Sequence, residues 1–323
     1  MPKTILNMVN SAQAELGLAQ STSLFTAGST DVTGTQMLAL ANRALDEIRR
    51  MHRWTALDFE YNLVVSTPLI TTGDMVAGSA VITNIPSTAT LTANNYMVSG
   101  DGIPAPARLL SVDSATQVTM TMENSNTTNL TGTSITFARD TYPIPADFDN
   151  YHNRTMWDRT NRWELLGPDS PQIDQWHRSG IVATGPRRHF RQIGPYSSNF
   201  RIWPPPAEIV APLQLVFEYS SIYAVALNGS STNFAQYFAN DADTILLDEN
   251  ALIMGIKWMF WEVKGFGSYV TLQNRWIDYV NRLIARDGAN ETLRMVQRRD
   301  PLLISPANTQ DGFFPGPVGP NES

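Results

Sequence analysis

The chain has 323 residues, enough to bury more than one core, with 42 % apolar residues and only 16 % charged ones. Its formal charge of −7 argues against a general nucleic-acid binder, which carries a basic balance overall. The absence of cysteine excludes a disulfide framework, a thiol nucleophile and any cysteine-based metal site.

A charge fraction well below the usual quarter suggests a surface that partners cover. The N-terminal MPKTILNMVNSAQAELG has a helical rather than a continuous apolar pattern, so it does not read as a signal peptide. No run of about 18 apolar residues occurs, and no membrane span is expected. A cytosolic product is the plain reading.

In chain order, a first helix is predicted over 4–16, with Ile5, Leu6, Val9, Ala12 and Leu16 on one face and Gly17 as its stop. A second is predicted over 35–53, where Leu38, Ala41, Leu45 and Ile48 make the apolar stripe. Residues 62–138 change character, because only Asp74, Asp101, Arg108, Asp113 and Glu123 are charged there. Short Thr/Ser/Val-rich runs at 80–83, 96–100, 108–112, 117–122 and 133–138 predict a small all-β module inserted in a host domain.

Residues 150–203 hold eight of the twenty arginines, four of the eight tryptophans and no lysine. Against four acids they carry a balance of +4, which leaves −11 on the rest of the chain. Arginine pairs with carboxylates through a planar fork and stacks on rings, and Arg and Trp dominate many protein contacts. The segment therefore suits fixed, partly desolvated contacts, either within the chain or between copies. Arg154, Trp157, Arg159, Arg162, Trp163 and Trp176 are the candidate subunit-interface residues here. Ser170-Pro171 predicts a helix opening that runs to about 178, followed by strands at 187–193, 199–203 and 213–220.

A third long helix is predicted to open at Asp248, a good N-cap, with apolar residues on every side of its cylinder. Such a helix is buried all round, and neighbouring subunits are the simplest cover, so Trp258 and Trp261 join the interface candidates. A fourth helix is predicted over 268–287, forming an antiparallel hairpin that packs on the first two. The expected fold class is thus α+β, an antiparallel helical bundle built from both ends of the chain around a strand-rich middle. From residue 300 the tail has five prolines and three glycines yet carries Leu302, Leu303, Ile304, Phe313 and Phe314. An extended arm that docks these side chains on a partner accounts for both features.

No phosphate-binding glycine loop, G-x-S-x-G or H-E-x-x-H pattern occurs. His52, His152, His177 and His189 stand far apart with no paired-ligand spacing. Asp241, Asp243, Asp248 and Glu249 lack calcium-loop spacing, and helix capping with solvated acids accounts for them. No catalytic residue, metal site or cofactor is expected, and the chain does not read as an enzyme.

The two N-terminal helices, the segment PADFDNYHNRTMWDRTNRWELLGPDSPQIDQWHRSG, the strands IVATGPRRHFR and FRIWPPP, then LLDENALIMGIKWMFWEVKG and RLIARDG together resemble head-to-tail adaptor (connector) proteins of short-tailed bacteriophages. The resemblance spans about 1–60 and 140–297. It implies a structural virion protein of the neck, assembled in the host cytoplasm as a ring of twelve copies. Such a ring joins the portal to the tail nozzle and fibres and continues the DNA channel, with only non-specific contact to genomic DNA. It further implies that the arm clasps the portal and that acids face the lumen, with Asp241, Asp243, Glu249 and Asp278 as candidates. The implied segments are 1–61, 62–139, 140–247, 248–297 and the arm 298–323. Two other readings stay open: a carbohydrate- or receptor-binding tail component, from the Thr/Ser-rich module, and a tail-linked peptidoglycan hydrolase.

Overall fold

The computed structural model describes residues 2–25, 31–177, 188–194, 198–205 and 213–288. They form two compact units, the first made of Met1–Tyr61, Ile144–Asn153 and Phe217–Ala289, the second of Asn62–Pro143 and Arg154–Val216. Elements are numbered in chain order. The five α-helices are α1 Ile5–Leu16, α2 Val32–Met51, α3 Pro171–His177, α4 Glu249–Val263 and α5 Tyr269–Ile284.

In the first unit, helix ends are set by capping side chains. The Asp31 carboxylate accepts from the Gly34 N–H at 2.8 Å to open α2, and Asp248 accepts from the Ala251 N–H at 2.8 Å to open α4. Helix α1 stops at Gly17, whose φ of 71° is the left-handed value that glycine takes without strain. Helix α4 packs on α1, α2 and α5 of its own chain, which bury Leu252, Ile256, Trp258 and Met259. At Gly255 the approach is close: a Cβ there would stand 2.9 Å from the Ala44 Cβ. The apolar cylinder is therefore covered largely within its own chain, and a neighbouring subunit is not needed to explain it.

Non-helical residues share this core. Ala224, Val225 of β15 (Val225–Ala226), Phe238 and Ile245 of β17 (Thr244–Ile245) belong to the same buried cluster as the helices. Strand β15 pairs with both β16 (Phe234–Ala235) and β17, and β9 (Phe148–Tyr151) pairs with the end of β14 (Leu213–Ser221) through Tyr151↔Tyr219.

The second unit contains a six-stranded sheet in the order β4-β7-β2-β3-β6-β5. Its members are β2 Leu69–Met75, β3 Val81–Thr83, β4 Tyr96–Gly100, β5 Leu109–Ser114, β6 Gln117–Met120 and β7 Leu130–Arg139. Phe137 of β7 lies between Leu69 and Val98 on its flanking strands, inside a core that includes Met75, Ile82, Val118 and Ile135. A three-stranded sheet, β12 (His189–Ile193), β13 (Asn199–Trp203) and β8 (Thr141–Pro143), completes what bears on the site.

The antiparallel helical bundle expected from the sequence is corrected by this architecture. Among the described residues, five α-helices stand against seventeen strands in four sheets, a mixed and strand-rich architecture in which no helical bundle is evident. The physical reason lies in what periodicity reports. A 3.6-residue repeat locates a buried helical face but says nothing of what the rest of the chain forms. Here strand and loop residues such as Val225, Phe238 and Ile245 join the helices in one core, while the remaining sheets make up most of the elements.

Candidate functional site

Within the second unit, the Arg/Trp-rich segment builds a short helix fixed to the three-stranded sheet. The Ser170 hydroxyl accepts from the Ile173 N–H at 3.3 Å and opens α3. One turn in, Asp174 is buried and its Oδ2 accepts from Arg191 Nη1 at 2.8 Å and Arg201 Nη1 at 3.4 Å. Arg191 and Arg201 are register partners on β12 and β13, so the carboxylate meets two guanidinium groups presented side by side. Burial is the main influence pulling Arg201 below the usual arginine value, with Arg108 next. Arg108 in turn is paired with the buried Asp140.

Residues before α3 run along β12. The Leu166 N–H donates to the Arg188 carbonyl, and the Asp169 and Phe190 N–H groups donate to the Phe190 and Leu166 carbonyls, all at 2.9 Å. Gly167 permits this approach, since a Cβ there would fall 2.5 Å from the Phe190 carbonyl oxygen. Asp169 is thereby placed beside His189, with Oδ1 3.2 Å from Nδ1. His177, the last residue of α3, brings Nε2 to 3.8 Å from Asp169 Oδ2 and its ring centroid to 4.4 Å from that of His189. The sequence reading of scattered histidines is corrected in space. Among the described residues, Asp169, His177 and His189 gather metal-ligating atoms within 4.8 Å of one another.

The first unit has a cavity of about 380 Å³, lined among others by Arg49, His52, Arg53, Asp149, His152 and Ser220. His152 Nε2 lies 2.7 Å from Asp58 Oδ1, and the Ser220 hydroxyl donates to that same oxygen at 3.2 Å. Burial holds the His152 imidazole below its usual value, against the opposing pull of Asp58. Arg49 pairs with Asp149 and Asp46, and Arg53 pairs with Asp58. Arg49 and Arg53 of the cavity are thus matched by carboxylates already present.

The predicted interface residues divide. Arg154, Arg159 and Arg162 are exposed, Trp176 is 57 % exposed, and Trp157 and Trp163 are half-buried on β10 (Trp157–Asp158) and β11 (Trp163–Glu164). Trp261 is half-buried, but Trp258 is only 3 % exposed and its ring lies tilted against that of Trp276 of the same chain, centroids 5.6 Å apart. Trp258 is therefore corrected to a core residue.

The predicted lumenal acids also divide. Asp243 is fully buried and accepts from the N–H groups of Asn228, Ala239 and Asn240, which makes it a loop organiser and not a channel residue. Asp241 accepts from Ser23 and Leu24, and Glu249 from the Lys3 N–H, while Asp278 is exposed. The arm residues Leu302, Leu303, Ile304, Phe313 and Phe314 lie outside the described residues.

The sequence missed the Asp169–His177–His189 grouping because its members come from a loop, a helix end and a strand. The usable signal was the Ser170-Pro171 helix start between an aspartate and a histidine-bearing strand. No described helix is long and apolar enough to cross a membrane. No protein-family model matches this chain, and no curated protein compared with it is significantly similar.

Proposed function

We propose that this chain is a structural virion protein that assembles with copies of itself into an adaptor ring between the portal and the tail of a short-tailed phage. The reading starts from the sequence resemblance. The structural observation that carries it is that each unit leaves large apolar side chains exposed on regular elements. In the first unit these include Val263 on α4 and Val270 on α5, joined by Phe266 in the turn between them, each about half exposed, and in the second Ile173 and Trp176 on α3. Side chains held on helices lose little further freedom on binding, so their burial against a partner translates into affinity more directly than burial of a loop. Exposed arginines at Arg154, Arg159 and Arg162 add the planar, ring-stacking cations that such contacts favour.

A closed ring repeats one head-to-tail interface by rotation, and each interface should bury more than about 1,000 Å² to persist. The partners of the ring are the portal on one side and the nozzle and fibres on the other. The test is electron microscopy of the purified full chain, alone and mixed with portal rings. Rings stacked coaxially on portals support the reading. A chain that stays monomeric at high concentration and ignores portals removes it.

A further inference from the structure

We propose that Asp169, His177 and His189 form a binding site for a divalent transition-metal ion of the zinc type, placed where α3 meets the sheet of β12 and β13. The residue types are the first argument. Two imidazoles and one carboxylate are the donor set of many zinc and related sites, whereas calcium and magnesium take oxygen ligands in larger number.

Placement is the second argument. On α3, Asp174 and His177 are three residues apart and so share a face; on β12, His189 and Arg191 are two apart and share a face. The contact of Asp174 with Arg191 and Arg201 therefore carries His177 toward His189 as a geometric consequence. Asp169 is fixed independently by its N–H bond to the Phe190 carbonyl. Three ligands thus arrive from three elements whose backbones are each held.

Distance is the third. Tetrahedral zinc with bonds of about 2.1 Å sets its ligand atoms roughly 3.4 Å apart. Asp169 Oδ1 lies 3.2 Å from His189 Nδ1 and Asp169 Oδ2 lies 3.8 Å from His177 Nε2, and one ligand atom from each of the three residues lies within 4.8 Å of the others. Closing on an ion asks for side-chain shifts of about an ångström or less, with no backbone rebuilding. The side chains are sheltered, with 9 % exposure for Asp169, 12 % for His177 and 23 % for His189, which limits competition from water. Arg191 and Arg201, the cations on the adjoining sheet positions, are engaged by Asp174. The ion would pin the last residue of α3 as Asp174 pins its middle.

The experiment titrates the metal-stripped full chain with zinc chloride by calorimetry and with cobalt(II) chloride by visible absorption. One zinc per chain is expected, with cobalt bands of a low-symmetry four-coordinate site. His177→Gln and His189→Gln should each weaken zinc binding at least about 100-fold, since even outer-shell partners are worth 10–100-fold. His52→Gln, in the other unit, should leave it unchanged. Asp169→Asn provides a variant that keeps a hydrogen-bond acceptor beside His189 while removing the charge, should either histidine change unfold the chain. Absence of stoichiometric zinc uptake by the wild type overturns the proposal, as does wild-type affinity in both histidine variants. Uptake lost only on replacing His52 or His152 would overturn it as well, by moving the site to the cavity of the first unit.

Discussion

Arg191 and Arg201 face each other directly across β12 and β13, and a single buried carboxylate, Asp174, bonds to both. Like charges opposite one another on a sheet repel, so the register of this hairpin is tolerable because α3 delivers an anion to that spot. The tie between helix and sheet is therefore electrostatic as much as apolar. Asp174→Asn keeps the shape and removes the charge that both guanidinium groups bond, leaving Arg201 with the attraction of Asp140. A loss of about 2–4 kcal/mol in urea denaturation is expected, below the upper end for a fully buried pair because both arginines retain some solvent. Asp174→Asn combined with Arg201→Gln should recover part of that loss. A single Asn variant as stable as the wild type would show that the charge is idle.

Gly255 and Ala44 let α4 and α2 approach closely. A methyl group at Gly255 would meet the Ala44 Cβ at 2.9 Å and the Trp276 Nε1 at 3.4 Å, both inside the packed core. In an exposed helix Gly→Ala is stabilising by roughly 0.5–1 kcal/mol. Here overpacking should exceed that gain and leave Gly255→Ala less stable by about 1–2 kcal/mol. Thermal unfolding of the variant beside Gly255→Ala with Ala44→Gly separates the two effects, since the second change reopens the space.

Two neighbouring tryptophans differ in their polar atoms. Trp276 Nε1 donates to the Ala251 carbonyl at 2.9 Å, whereas the buried Trp258 Nε1 has no partner among the described residues. An unpaired buried donor costs on the order of 1–3 kcal/mol, which Trp258→Phe would relieve while losing some packing. Trp276→Phe loses packing and also a bond. Trp258→Phe is expected to be the milder change by about 1 kcal/mol or more, read from denaturation midpoints.

How much of this was legible beforehand differs by element. Helix α1 lies within one residue of the 4–16 prediction, α4 opens on Asp248, and α3 starts at Pro171 after Ser170, because capping and amphipathic spacing are local signals. The runs at 96–100, 199–203 and 213–220 are strands β4, β13 and β14 for the same reason. What failed was inference from a helix surface to its cover. Trp258 and Asp243 read as outward-facing in sequence, yet one packs on Trp276 and the other ties three backbone N–H groups. Both partners are distant in sequence or hidden in loop backbone, which no periodicity records. The pairing of His177 with His189 was invisible for the same cause.

The ring proposal separates stability from assembly at the turn between α4 and α5. Val263 and Val270 are about half exposed, so replacing both with glutamine should alter the unfolding free energy by no more than about 0.5 kcal/mol each. Their effect should fall on association, with a higher concentration needed to form rings in sedimentation velocity. Equal ring formation by variant and wild type would place the contact elsewhere.

His152 gives a pH dependence with a definite sign. Burial holds its imidazole below the ordinary 6.5, outweighing the attraction of Asp58. Below 6.5 the unfolded chain takes up a proton at this residue before the folded one does, so folding loses stability as pH falls. Well above 6.5 both forms are neutral and the contribution is constant. His152→Gln removes the titrating group while keeping a donor toward Asp58. The difference in unfolding free energy between wild type and variant should therefore be flat from pH 7 to 8 and shift against the wild type from about 6.5 down to 5. A difference that moves in the wild type's favour on acidification would mean that the Asp58 contact outweighs burial.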